Sequence, residues 1–302
     1  MRIGYPCINR GIGCTAGSTF RLKSYCAARL MDTVARNLAC LESILRWNAQ
    51  QGLNFFRISS DLVPFASHAV CRADWPRRFK GEFAQLGRLI KRHGMRISMH
   101  PDQFVLINAL DEDIFRRSVA ELEYHAEVLD LLGLGRSAKF QIHVGGVYGD
   151  KPAAMRRFVA RFAKLPAAVR RRLVIENDDR LYSLADCLEL HRAAGVPVLF
   201  DSFHHSLLNN GEPVAAAMDA AAATWGKRDG PLMVDYSSQK KGHRRGSHAE
   251  SIDLRDFRKF LRLAGGRGCD IMLEIKDKEA SALKALGLLR GAAPLLQAPR
   301  AA

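Results

Sequence analysis

No apolar run in the chain reaches about 18 residues, so no segment is expected to span a membrane as a helix. The opening stretch, MRIGYPCINRG, begins directly as a strand and lacks the charged-then-apolar layout of a signal peptide, so a cytoplasmic protein is expected. Cysteine is sparse and unpatterned: seven residues, at 7, 14, 26, 40, 71, 187 and 269, with no CxxC pair. That disfavours a zinc-thiolate site, and reduced thiols are expected throughout. Acidic charge is in deficit, 31 Asp and Glu against 46 Lys and Arg, a net charge of +15. A field of that size favours a polyanionic partner, bound more weakly as salt rises. No linker or compositional break divides the 302 residues. One domain over residues 1–291 is expected, followed by an unstructured tail at 292–302.

What is present is a regular alternation of strand and helix patterns. Strands are expected at Arg2–Ile8, Asn54–Ser60, Arg96–His100, Lys139–Val144, Leu173–Asn177, Val196–Asp201, Leu232–Tyr236 and Asp270–Ile275. Helices are expected between them at Thr33–Gln51 (capped by Asp32), Arg77–Arg92, Glu112–Leu132, Ala153–Lys164, Leu184–Ala194, Pro213–Trp225 and Leu254–Ala264, with Lys278–Leu289 closing the series. Eight such units predict an α/β fold, a single (β/α)8 barrel of the TIM type. Three connections on the face formed by the strand C-termini are long: Asn9–Asp32, Asp61–Pro76 and Ser237–Ile252. Long loops in a compact barrel usually carry function.

Six of the apolar runs end on residues that can bind a metal: His100, His143, Glu176, Asp201 with His204, Asp235, and Glu274. Singly, each reads more simply as a hydrogen-bonded polar residue. Together at one barrel face they predict a polynuclear centre for borderline divalent ions such as Mn²⁺, Zn²⁺ or Fe²⁺. His100, His143 and Glu176 suit one ion, and Asp201, Asp235 and Glu274 a second bridged by Glu176. His204 and His248 suit a third, and His68 is a plausible outer ligand. Ions about 3.5–4 Å apart stabilise both the attacking and the leaving oxygen of a phosphodiester and lower the pKa of a bound water. Lys276 and Lys278 flank Glu274, where a cation would stabilise the charge of the transition state, or simply be surface. Among the basic clusters, Arg170-Arg171-Arg172 precedes a strand and is expected to be solvated on the opposite face. Lys240, Lys241, Arg244 and Arg245 follow a strand, on the face of the expected site.

These stretches resemble the UV damage endonucleases, relatives of endonuclease IV among the metal-dependent barrels. The matching motifs are GYPCIN at 4–9, FRISSDLVP at 56–64, SMHPDQF at 98–104, QIHVGG at 141–146, IENDD at 175–179, FDSFHH at 200–205, DYSSQKKGHRRGSHAESID at 235–253 and MLEIKDKE at 272–279. The resemblance implies a three-ion centre, commonly Mn²⁺ with Zn²⁺ as the alternative, and incision of double-stranded DNA 5′ to cyclobutane dimers and 6-4 photoproducts. It implies His68, His100, His143, Glu176, Asp201, His204, Asp235, His248 and Glu274 as ligands; Glu176 and, from its place beside Glu274, Lys276 are expected to be catalytic. Gln103 and Phe104 would probe the duplex, Tyr5 and Asn9 would line the lesion pocket, and Lys240, Lys241, Arg244 and Arg245 would hold DNA. The sequence departs from the family where some relatives carry His in place of Asp235 and where Tyr is expected in place of Phe104. A monomer acting at the nucleoid is expected. The alternatives are an abasic-site endonuclease of the endonuclease IV type and, from another class, a metal-dependent sugar isomerase, for which the charge of +15 offers no reason.

Overall fold

The computed structural model describes residues 1–296. Eight parallel strands close into a barrel in chain order. They are β1 (Ile3–Pro6), β2 (Phe55–Ile58), β3 (Arg96–Met99), β4 (Lys139–His143), β5 (Leu173–Glu176), β6 (Val198–Asp201), β7 (Leu232–Tyr236) and β8 (Cys269–Leu273). Buried on both faces, they need the continuous apolar runs seen in the sequence. Gly4 is required in β1, because a Cβ there would collide with the backbone of Phe55 on β2. The helices are α1 (Ala27–Gln51), α2 (Trp75–Arg78), α3 (Lys80–Arg92), α4 (Glu112–Leu131), α5 (Lys151–Phe162), α6 (Ala167–Arg170), α7 (Leu184–Ala194), α8 (Ser202–Leu207), α9 (Val214–Ala222), α10 (Leu254–Ala264) and α11 (Glu279–Leu296). The single (β/α)8 barrel is as expected.

The barrel interior is layered, because inward positions recur every second residue along a strand. Phe55, Val174, Leu199, Met233 and Met272 form an apolar plug. Two residues further along the same strands stand Arg57, Glu176, Asp201, Asp235 and Glu274. Below the plug lies a second polar layer, in which the Arg96 guanidinium meets Asp270 at 3.0 Å and the Lys139 ammonium meets Asp229 at 2.5 Å. Burying each plug side chain contributes about 1.5–3 kcal/mol and keeps the two charged layers apart. Sheet register then sets neighbours at the mouth, with His143 beside Glu176 and Asp201 beside Asp235.

Several expectations need correction. Helix α1 starts at Ala27, with Cys26 rather than Asp32 at its N-cap. Ala27 to Met31 are good helix formers, and Leu30 already belongs to the buried stripe. The helix expected over Arg77–Arg92 is broken at buried Phe79. Not all thiols are reduced: Cys14 forms a disulfide with Cys40, because the loop after β1 folds back onto α1. Arg172 is buried, where it holds Asp130 and donates to the carbonyls of Leu134, Gly135 and Ala138. Helix α11 continues through Leu296, into the segment expected as a tail, and the rest of that segment, 297–302, lies outside the described residues. Among the described residues, no helix is long and apolar enough to cross a membrane.

Candidate metal centre and adjoining groove

The strand ends bring four carboxylates and four imidazoles to one pit. Glu176 sits at its centre, its Oε1 2.8 Å from His143 Nε2 and 3.3 Å from His100 Nε2. These three side chains offer ligand atoms within 4.8 Å of one another, and so do Asp201, Asp235 and Glu274. Asp201 caps α8, accepting from the N–H groups of Phe203 and His204, and that short helix carries His204 back over the pit. His248 comes from the long loop after β7; its ring centroid lies 6.3 Å from that of His204, which lies 5.7 Å from that of His143. The turn after β4 is possible because Gly145 has φ +115, a conformation other residues rarely adopt.

The donor set fits divalent cations. Nδ1 of His100, His204 and His248 faces a backbone carbonyl, of Pro101 at 2.8 Å, Asn177 at 3.0 Å and Glu274 at 2.8 Å respectively. An N–H donated there leaves each Nε2 as a bare lone pair, the usual arrangement of ligating histidines. Charge points the same way. Burial alone would depress the His143 imidazole, yet Glu176, Asp178 and Glu274 lift it to about 9. Burial lifts the Asp201 carboxyl to about 6, and the nearby carboxylates Glu274 and Glu176 add to this. Although burial opposes it, His143 and His100 hold Glu176 well below the usual carboxylate range. Protons thus gather where positive charge is short, and bound cations would take their place.

Two residues without an assigned role in the sequence reading lie at the floor of the pit. Arg57, 2% exposed, donates from one terminal nitrogen to both oxygens of Asp235, at 2.8 and 2.7 Å, and from the other to Glu274. The Gln141 amide donates to Glu176 and, at 2.7 Å, to Asp235. The signal for Arg57 was present: an arginine inside the buried strand FFRI must find carboxylates in the interior.

The flanking residues sort themselves. Lys276 is exposed and pairs with Glu250 at 3.2 Å, away from the pit, because the chain turns outward after β8. Lys278 is the nearer cation. Half-buried in the left-handed region at φ +52, it feels Glu274, and burial lowers its ammonium pKa. Cys7, at φ +67, lies beside it and Arg57, so backbone strain clusters here, as it does at many functional sites. His68 is exposed; its ring packs edge-on against Phe65 and its Nδ1 accepts from the Val70 N–H. It joins neither ligand cluster among the described residues. Tyr5 and Asn9 are buried rather than lining a pocket. The Asn9 amide donates to the Tyr5 hydroxyl at 2.9 Å, which donates to Asn48 at 2.6 Å, while the Tyr5 ring packs on Phe56.

Beside His100 and His143 runs a groove of about 540 Å³ lined by Gln103, Tyr148, Asp178, Arg180, Leu181 and Arg244 among others. Phe104, next to Gln103, is 54% exposed, and Tyr148 and Leu181 are also exposed apolar side chains. Lys241 and Arg244 are solvent-exposed, whereas Lys240 is tied to Glu250 at 2.5 Å and Arg245 to the Leu207 carbonyl at 2.5 Å. An exposed aromatic and exposed cations beside a carboxylate–imidazole pit form a surface suited to a nucleic acid.

Comparison with known proteins agrees with that chemistry. A family model described as UV-endonuclease UvdE matches residues 7–294. The chain is 36% identical over 292 residues to a UV DNA damage endonuclease of Clostridium perfringens (strain 13 / Type A), covering 96% of this chain and 71% of that protein. The solved structure of SacUVDE superposes with a TM-score of 0.93 and 42% identity, over 97% of this chain and 99% of that one. Endonuclease IV from Thermus thermophilus shares the fold, with a TM-score of 0.60 at 18% identity over 84% of this chain and 94% of that one. With its barrel, its pit of imidazoles and carboxylates, and a match over nearly its whole length, the chain belongs to the UV-endonuclease UvdE family.

Proposed function

We propose that the chain hydrolyses the DNA backbone immediately 5′ to UV photoproducts at a divalent-metal centre, working as a monomer on damaged duplex. The observation that carries this reading is the junction of pit and groove: His100 and His143, which cluster with Glu176, also line the groove with Gln103, Arg180 and Arg244, and Phe104 is exposed next to Gln103. His100, His143 and Glu176 would hold one ion, Asp201 and Glu274 with Glu176 a second, and His204 with His248 a third. The oxygen and nitrogen donors, without thiolates, suit Mn²⁺, with Zn²⁺ as the alternative. Such ions polarise a phosphoryl oxygen and acidify a water.

The chain's own residues do the rest. Arg180, Lys241 and Arg244 draw in the phosphate backbone, and Gln103 with Phe104 fills the space left when the damaged pair is displaced. A photoproduct stacks and pairs poorly, so displacing it costs less than displacing an intact pair, and the protein selects damage through that difference. Lys278, without an ion-pair partner among the described residues, supplies positive charge near Glu274 as the phosphate gains negative charge.

The test is incision of duplex oligonucleotides carrying one cyclobutane dimer, one 6-4 product, one abasic site or no damage, with Mn²⁺. Nicks 5′ to the photoproducts, leaving 3′-hydroxyl and 5′-phosphate ends, are expected. Equal cleavage of undamaged duplex would refute the specificity, and no cleavage with any divalent ion would refute the activity.

A further inference from the structure

We infer that Asp235 serves as the internal counter-ion of Arg57 rather than as a metal ligand, and that the Arg57–Asp235 pair is a positioning device beneath the centre. The inference rests on the metal-dependent reading above. The carboxylate oxygens of the pit differ in what they already hold. Glu176 Oε1 meets only the imidazoles of His100 and His143. Asp201 directs Oδ2 to His204 at 3.2 Å, and Glu274 directs Oε2 to His248 at 4.0 Å. Among the described residues, each of these three carboxylates therefore keeps one oxygen that neither an arginine nor a side-chain amide occupies.

Asp235 keeps none. Both of its oxygens accept from Arg57, at 2.8 and 2.7 Å, and one also accepts from Gln141 at 2.7 Å. Its backbone carbonyl is held as well, accepting from the Ser202 hydroxyl at 3.0 Å. The Arg57 charge is inside the barrel, with both terminal nitrogens engaged by side chains of the pit. A buried guanidinium without a dedicated carboxylate is costly, and Asp235 is the carboxylate it grips with two contacts. The same fork reaches Glu274, while Gln141 reaches Glu176. Arg57 and Gln141 thereby aim two ligands and repel an ion from the floor of the pit. The remaining donors are Glu176, Asp201 and Glu274 with His100, His143, His204 and His248, of which His100 and His143 line the groove.

The test is Mn²⁺ binding to the metal-stripped full-length chain, by equilibrium dialysis with free Mn²⁺ read by electron paramagnetic resonance. Wild type, Asp235→Asn, Arg57→Gln and the double variant are compared. Asp235→Asn should bind the same number of ions as wild type, each about ten-fold more weakly, because Arg57 is left without its counter-charge. Arg57→Gln frees a carboxylate and should bind more tightly by about the same factor, and the double variant should return to within about three-fold of wild type. Loss of one equivalent of Mn²⁺ in Asp235→Asn overturns the inference, and so does a double variant that binds as poorly as Asp235→Asn. If Arg57→Gln fails to fold, the ion count of Asp235→Asn, which removes no volume, decides alone. A wild-type chain that binds no Mn²⁺ overturns the metal-dependent reading and this inference with it, whereas a lost equivalent in the variant overturns this inference only.

Discussion

Glu121 offers a quantitative check on the packing that holds the active-face loops. It lies on α4, its carboxylate accepts from the Ser67 hydroxyl in the loop after β2, and its side chain is 8% exposed. Burial, with smaller contributions from Asp102 and Asp61, lifts its pKa from 4.5 to about 7. His125 stands 3.5 Å away but does not form an ion pair with it, since burial depresses that imidazole to about 4. Below pH 4.5 the Glu121 carboxyl is protonated in both folded and unfolded chains and costs nothing. As pH rises from there towards 7 the unfolded chain releases its proton while the fold retains it, so stability falls, and the loss is complete above 7. A displacement of that size corresponds to an upper bound of about 3 kcal/mol, which relaxation of the surroundings reduces to roughly 1–3 kcal/mol. Glu121→Gln removes the titration while keeping a hydrogen-bonding partner for Ser67. It should therefore be more stable than wild type by roughly 1–3 kcal/mol at about pH 8.5 and by under about 1 kcal/mol at about pH 5. His125 titrates in both proteins, so its opposite contribution, lost as pH falls below 6.5, cancels in the difference. Urea unfolding of both proteins at the two pH values measures it. A variant that is less stable at the higher pH, or a difference that does not change with pH, would refute the reasoning.

Three further outcomes are expected. Glu176→Gln should lower incision by at least about 10³-fold while changing low-salt DNA binding less than about three-fold in a gel-shift assay, because the cations that meet phosphate are untouched. Phe104→Ala should lower kcat/KM on dimer-bearing duplex by about 5–100-fold through lost stacking, with Mn²⁺ affinity unchanged, and equal losses in both measurements would place Phe104 in the fold rather than against DNA. Lys278→Ala should lower kcat by about ten-fold or more, whereas Lys276→Ala, on the Glu250 side, should match wild type; steady-state kinetics on one dimer substrate separates them, and the reverse order would refute the assignment.

Much of the architecture was legible because buried parallel strands must be short apolar runs, and a polar residue at their C-terminal ends has one place to go. That placed His100, His143, Glu176, Asp201, Asp235 and Glu274 together on one face, and β7, α7 and α10 matched to the residue. Legibility failed where the same residue type serves two environments. Tyr5 and Asn9 would read alike whether they lined a pocket or bonded to Asn48 in the core, and the structure shows the latter. Lys276 and Lys278 are two residues apart, and only the left-handed turn at Lys278 decides which faces the pit. His68 was drawn towards the site by its loop, and the structure shows it exposed and outside both ligand clusters among the described residues.

The chain order of apolar runs and the residues that end them determined the barrel, the face that carries the site and the class of ion that suits it. Local sequence suffices for that, because strand periodicity and burial are properties of a few consecutive residues. Only the closed structure decided that Arg57 from β2 meets Asp235 from β7 and Glu274 from β8, and that Cys14 meets Cys40. Those pairings join residues far apart in the chain. Closure and stagger of the barrel set the first and the fold-back of a loop sets the second, and neither leaves a trace in the spacing of either partner.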